Sequence, residues 1–299
     1  MHRKSKLCHH SNIVRVLSVR AMPKVRSYAV QPGLSPHPRV RNVIAIASGK
    51  GGVGKSTTAV NLALALDRQG ARTGVLDGDV YGPSIPSLLG LSGRPETTSQ
   101  RQIIPMQAFG LDVMSMGLLI ESDTPMIWRG PMATSALLQL FNETLWRDLD
   151  YLLVDLPPGT GDIQLTLAQK IPVAGAVIVT TPQELATLDA QKALRMFQKV
   201  NVCVLGIIEN MAVHVCPQCG HTDHLFGQGG GDALATRYNL PLLGALPLDR
   251  AIRQRGDDND PIVHADPQSS ATQAYVKVAQ SLITHLQQRP RASIPLITE

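Results

Sequence analysis

The run Gly49-Lys50-Gly51-Gly52-Val53-Gly54-Lys55-Ser56, followed by Thr57, satisfies the spacing G-x-x-x-x-G-K-[ST]. Glycines at these positions let backbone N–H groups turn inward as a nest for anions, and a helix starting near Lys55 adds the positive end of its dipole. Lys55 is then placed to reach the β- and γ-phosphates of ATP as a point charge, with the Ser56 hydroxyl as a ligand of Mg²⁺. Two carboxylates follow a second strand-like run, in Asp77-Gly78-Asp79-Val80-Tyr81-Gly82-Pro83-Ser84, and a third ends the apolar stretch Tyr151-Leu152-Leu153-Val154-Asp155. Asp155 has the Walker B arrangement, a carboxylate at the tip of an apolar strand that holds Mg²⁺ directly or through water. Asp77 either supports Asp79 or the Mg²⁺ shell, or caps a turn. Phosphoryl transfer asks mainly for positioning and charge neutralisation, so these few side chains suffice for it.

A second chemistry comes from sulfur. Of four cysteines, Cys8 lies in a basic leader and Cys203 reads as a small buried hydrophobe within a strand. Cys216-Pro217-Gln218-Cys219 supplies two soft thiolates, whereas a closed tetrahedral or cubane site takes four ligands. Three completions are open. A second chain brings the missing pair; or His221 and His224 close a local Cys₂His₂ zinc site, in a spacing cramped for a zinc finger. In the third, the pair is a redox dithiol, which its place after a strand and a loop disfavours.

These groups need elements to hold them. Short β-branched runs at 43–47, 73–76, 151–156, 176–180, 202–208 and 242–246 alternate with helical periods at 55–67, 183–199 and 231–238. Such alternation predicts an α/β fold with a mostly parallel central sheet and helices on both faces. The carboxylates then lie beyond the carboxyl ends of their strands, where ligands bind in such sheets. The stretch 103–116 reads as an inserted hairpin. A last helix over 269–288 puts Ala271, Tyr275, Val278, Leu282 and Leu286 on one stripe, the pattern of a face packed on the core.

The 299 residues are 43% hydrophobic and 17% charged, which excludes collagen, low-complexity chains and disulfide scaffolds. No apolar run nears the ~20 residues that cross a bilayer. Charge is uneven: residues 1–41 hold nine basic residues and no acidic one, while the remainder carries 19 basic against 23 acidic residues. The excess positive charge belongs to the leader, so no nucleic-acid-binding face is inferred. A basic, acid-free, Ser-containing N-terminus without a long apolar core predicts a mitochondrial transit peptide and linker over 1–41. A mature start near Ala29 follows from Arg26, which resembles the arginine that precedes matrix-protease cuts. The ATPase domain is expected over 42–288 and a flexible tail over 289–299.

The loop form Lys50-Gly51-Gly52-Val53-Gly54-Lys55-Ser56-Thr57 resembles the deviant Walker A loop of the MinD/ParA/nitrogenase-iron-protein class. Further motifs are Trp128-Arg129-Gly130-Pro131-Met132, Asn210-Met211, Cys216-Pro217-Gln218-Cys219-Gly220 and Phe226-Gly227-Gln228-Gly229-Gly230-Gly231. Together they resemble the Mrp/NBP-type P-loop ATPases over about 42–265 and, with the leader, their mitochondrial NUBPL-type branch, which assembles iron–sulfur clusters for respiratory complex I. The resemblance implies a homodimer with ATP sandwiched between subunits and hydrolysed weakly, as a switch. Lys50, which on its own reads equally as a solvated loop lysine, then crosses to the partner's nucleotide. Asp79 then orients the attacking water, the loop 157–162 senses the γ-phosphate, and Asn210, otherwise a plain loop residue, reads the adenine edge. Cys216 and Cys219 of two chains then hold one bridging [4Fe–4S] cluster for client apoproteins, complex I subunits among them, in the mitochondrial matrix. The alternative is a ParA/MinD-like positioning or partner-binding switch without a cluster. A zinc clamp in the same four-thiolate site is a further possibility.

Overall fold

Residues 25–80, 82–119 and 130–292 are described by the computed structural model. The expected site residues all fall within these. Cys8, most of the basic leader, Tyr81, the Trp128-Arg129 half of one motif and the last seven residues lie outside them. Strand β1 (Val40–Ala47) runs through the glycine loop into α1 (Lys55–Asp67), β2 (Thr73–Asp77) and the single turn α2 (Ile85–Leu88). A hairpin of β3 (Met106–Ala108) and β4 (Leu111–Ser115) precedes α3 (Gly130–Glu143), β5 (Leu149–Asp155) and α4 (Asp162–Lys170). Then come β6 (Gly175–Thr180), α5 (Glu184–Lys199), β7 (Val204–Glu209) and a small ribbon of β8 (His214–Val215) and β9 (Thr222–Asp223). The chain closes with α6 (Gly230–Tyr238), β10 (Leu242–Ala245), α7 (Arg250–Asp257), α8 (Ile262–Ala265) and α9 (Ser270–Gln287).

The main sheet has the order β10-β7-β6-β1-β5-β2-β4-β3, parallel throughout except that β3 runs antiparallel to β4. The pleat divides the apolar residues of β1 between two cores: Val43, Ala45 and Ala47 face α3 and α5, while Ile44 and Ile46 face α1 and α9. Tyr275 and Leu282 of α9 are buried on the second side, as their stripe predicts. Leu137, Phe141, Leu194 and Phe197 fill the first. Each such side chain contributes roughly 1.5–3 kcal/mol by leaving water. No helix among the described residues is long and apolar enough to cross a membrane.

The stretch 103–116 does form a hairpin, turned by Phe109 and Gly110 at positive φ, but β4 is a full member of the parallel sheet, paired with β2. Its pattern was disguised by Asp112, a fully buried carboxylate in the strand. Arg147 pairs with it at 2.6 Å and Gln107 donates to it, which makes a charge tolerable there.

The boundary at residue 42 is not a boundary in the packing. Tyr28 is 5% exposed and forms a β-bridge with Arg291, and Ala29 N–H donates to the Pro290 carbonyl. The buried Gln31 side chain donates to the carbonyls of Ala168 and Ile171 and accepts from Val173 N–H. Residues 25–41 and 289–292 are thus fastened to the body of the α/β domain. A start at Ala29 would remove the buried Tyr28 from this packing.

Candidate nucleotide site and cysteine ribbon

Because β1, β5 and β2 are neighbours, their carboxyl ends bring the glycine loop, Asp155 and Asp77 side by side; Asp155 is in register with Ile46 on one flank and Asp77 on the other. Gly54 opens α1 at φ +77° with no side-chain cap, which leaves first-turn N–H groups for an anion. A cavity of about 230 Å³ is lined by Lys50, Gly51, Gly52, Gly54, Lys55, Ser56, Thr57 and Asp79, together with Ser48, Ser84 and Pro158. Most of the expected phosphate-site residues therefore converge on one cleft.

Lys55, 6% exposed, places Nζ 2.6 Å from Asp155 Oδ1, and Ser56 Oγ donates to Asp155 Oδ2 at 2.6 Å. Burial pushes the Asp155 carboxyl up and the Lys55 charge pulls it back. The hydroxyl and carboxylate oxygens, set side by side, are the hard donors that Mg²⁺ takes. Asp77 is fully buried; its Oδ1 accepts from Asp79 N–H (3.1 Å), and its Oδ2 accepts from Ile85 N–H (3.2 Å) and the Ser115 hydroxyl (3.0 Å). Burial, reinforced by the nearby Asp155, pushes this carboxyl up to about 7. Asp77 thereby fastens both ends of the segment that carries Asp79, joining the turn-capping and supporting roles.

Asn210 sits beneath the loop and outside the lining of the cavity. Its Nδ2 donates to the Val53 carbonyl at 2.8 Å and its N–H donates to Thr180 O at 2.7 Å, so it braces the loop on β6 and β7. Ser48 escaped the sequence reading although it is fully buried: its hydroxyl donates to Lys50 O and its carbonyl accepts from Gly159 N–H, tying the glycine loop to the 157–162 loop. A hydroxyl immediately before Gly49 was the available signal.

Gly49 and Val53 support the cleft from outside. A Cβ on Gly49 would lie 2.0 Å from the Asp189 carbonyl carbon, in the backbone of α5, whereas one on Gly51 meets nothing nearer than Pro158 Cγ at 4.0 Å. Gly49→Ala is expected to cost about 3 kcal/mol or more by overpacking, and Gly51→Ala about 0.5 kcal/mol or less. Urea unfolding of the two variants checks this; equal midpoints would contradict the close approach.

Strand β7 runs parallel to β1, so the cysteine ribbon leaves the sheet at the same edge as the glycine loop. Cys216 N–H donates to His221 O and Gly220 N–H to Cys216 O, both at 2.9 Å, with Gly220 at φ +73° closing the turn. The N–H groups of Cys219 and Gln218, then the Cys219 thiol, bond to Cys216 sulfur and hold its thiol below the usual range. Such a turn favours thiolate, the form that binds metal. Among the described residues, no three His, Cys, Asp or Glu side chains gather as a metal site, so His221 and His224 do not complete a local Cys₂His₂ set. Cys203 precedes β7 and is partly exposed, not buried mid-strand as its apolar neighbours suggest.

The model of the ParA family described as NUBPL iron-transfer P-loop NTPase matches residues 39–283. The chain belongs to this family. The iron-sulfur cluster carrier protein of Pseudomonas fragi is 57% identical over 256 residues, 85% of this chain and 88% of that one. The mouse iron-sulfur cluster transfer protein NUBPL is 48% identical over 261 residues, 87% and 82% of the two chains. An Arabidopsis thaliana iron-sulfur protein required for NADH dehydrogenase, mitochondrial, is 45% identical over 250 residues, 83% and 80%. Among solved structures, the Archaeoglobus fulgidus nucleotide-binding protein in complex with ADP has a TM-score of 0.66 at 39% identity, covering 74% of this chain and 87% of that one. MinD of Pyrococcus furiosus, at 24% identity and TM-score 0.61 over 81% and 98%, shares the fold. The mostly parallel α/β sheet is thus that of the MinD/ParA ATPases.

Proposed function

We propose that this chain is an ATP-dependent carrier or assembly factor for [4Fe–4S] clusters, acting as a homodimer in the mitochondrial matrix and supplying respiratory complex I. One observation carries the reading: an outward-facing Cys216–Cys219 turn with thiolate-favouring N–H bonds offers two ligands per chain, at the edge that holds the nucleotide loop. Four thiolates require two such turns, and the family's nucleotide edge is where two chains would meet. The names of the Pseudomonas, mouse and Arabidopsis relatives support the cargo. A ParA/MinD-like positioning switch has no use for paired thiolates, and a zinc clamp would use the same four.

In this reading Lys55 neutralises phosphate charge, Ser56 and Asp155 would hold Mg²⁺ as a phosphate counter-ion, and Lys50 reaches the nucleotide of the second copy. Asp79 orients the attacking water, positioned through the hydrogen bonds of Asp77. Asn210 reads the adenine edge while bracing Val53. Asp79→Ala is expected to keep ATP affinity within a few-fold and to lose hydrolysis, because water positioning acts in the transition state. Parallel loss of binding and turnover in a steady-state assay with direct ATP titration would argue against that role.

The matrix location rests on the acid-free basic leader and on the Arabidopsis relative's mitochondrial name. Mass analysis of the organellar protein is expected to show an N-terminus between about Arg20 and Tyr28, because later cuts remove buried residues. An intact Met1 on protein purified from the cytosol would contradict import. The cargo is tested by anaerobic reconstitution with iron and sulfide, followed by their determination and a visible spectrum. Iron and sulfide in equal amounts are expected; zinc retained without sulfide would contradict the reading.

A further inference from the structure

The ribbon that presents Cys216 and Cys219 has little intrinsic rigidity. Each strand is two residues long, Val215 and Leu225 beside it are 53% and 58% exposed, and a two-stranded ribbon without a covered face is marginal in water. Its orientation therefore depends on how its roots are tied to the body. The backbone supplies two ties: Ala212 N–H donates to Leu246 O at 2.9 Å and Leu248 N–H to Val213 O at 2.8 Å.

Two imidazoles supply more, one at each root. His214 Nδ1 lies 3.1 Å from the Leu248 carbonyl oxygen, and His224 Nδ1 lies 3.0 Å from that of Ala212. A carbonyl oxygen can only accept, so in both rings Nδ1 carries the proton and donates. Leu248 directly precedes Asp249, whose side chain accepts from Ala251 N–H at the start of α7, so His214 ties the first strand to a capped helix. His224 reaches across the ribbon and ties the second strand to the segment leading into the first. That segment starts at Asn210, which holds the Val53 carbonyl of the glycine loop. The ties thus fix the cysteine turn with respect to the nucleotide edge.

We propose that His214 and His224 are positioning residues for the cysteine pair: they pin both roots of the ribbon, so that Cys216 and Cys219 face a second copy of the chain in one orientation, and neither imidazole is a ligand. This rests on reading Cys216 and Cys219 as cluster ligands, and the first test needs no cluster. In the cluster-free full-length chain, His214→Ala and His224→Ala should each speed hydrogen exchange of the Cys216 and Gly220 amides about two- to tenfold, the size of one lost hydrogen bond. Amides of β1 and β5 should not change. His214→Asn and His224→Asn should restore protection, because asparagine Nδ2 sits where the histidine Nδ1 donor was. Unchanged ribbon exchange in both alanine variants would overturn the proposal.

The second test uses the reconstituted protein. Both alanine variants should take up a cluster of unaltered visible spectrum and lose it to a chelator about two- to tenfold faster than the native chain, with asparagine restoring the native rate. An altered spectrum that asparagine fails to restore would make an imidazole a ligand and overturn the proposal. A native chain that takes up no cluster defeats the carrier reading, and amide exchange then decides the positioning role by itself.

Discussion

Lys55→Ala is expected to weaken Mg-ATP binding at least about 100-fold, the consequence of removing one partner of a buried charge pair that also serves the phosphates. The geometry makes the effect large. Lys55 is 6% exposed, so its charge acts in a low-dielectric cleft, and Asp155 opposite it is fully buried. Without the ammonium, a buried carboxylate faces incoming phosphate with no compensating cation from α1. The variant also loses stability, since breaking a buried ion pair costs about 3–5 kcal/mol, unless Asp155 takes up a proton. Burial already pushes that carboxyl toward its protonated form, which softens the folding penalty without restoring the phosphate site. Calorimetric titration with Mg-ATP, on protein shown to be folded by circular dichroism, measures the effect. Undiminished affinity would remove the glycine loop from the account.

Much of this site was legible in the chain because its parts are local. The glycine loop needs a strand before it and a helix after it, and both show as periodicity around Gly49 and Lys55. The Asp155 strand is a continuous apolar run because β5 lies in the middle of the sheet, covered on both faces. What escaped was set by tertiary partners. β4 carries a buried Asp112 whose charge is met by Arg147, 35 residues away, as well as by nearby Gln107. Helix α7 is too short and polar to announce itself, with Ala251 and Ile252 partly buried against the core; its start is the Asp249 side chain accepting from Ala251 N–H. The fastening of residues 25–41 turns on Tyr28 and Gln31, whose partners lie beyond residue 160 apart from Asn42. Nothing local to a basic leader announces such contacts. The brace from Asn210 to Val53 joins residues 157 positions apart, so a resemblance could nominate Asn210 but not its hydrogen bond.

Replacing either ribbon cysteine is expected to abolish cluster binding outright. Each chain offers two thiolates at the turn, and the described residues provide no third ligand nearby. With Cys216→Ser or Cys219→Ser, a pair of chains retains two thiolates for a cluster that takes four. The loss should extend to the cluster-linked dimer and spare the nucleotide cleft, whose lining holds neither cysteine. Cys203→Ser should change neither property, because Cys203 precedes β7 at the opposite end of that strand from the ribbon. Iron content and sedimentation of the three variants separate these outcomes, and a Cys216→Ser chain that keeps its cluster would refute bridging ligation.

Two chains are expected to share one cluster through their ribbons. The most direct test of this sharing is native mass spectrometry of the anaerobically reconstituted protein, which reports chains and cluster in the same ion. A dimer carrying one [4Fe–4S] unit is expected, the stoichiometry that four thiolates from two chains impose. A monomer holding a complete cluster, or a dimer holding two, would contradict it.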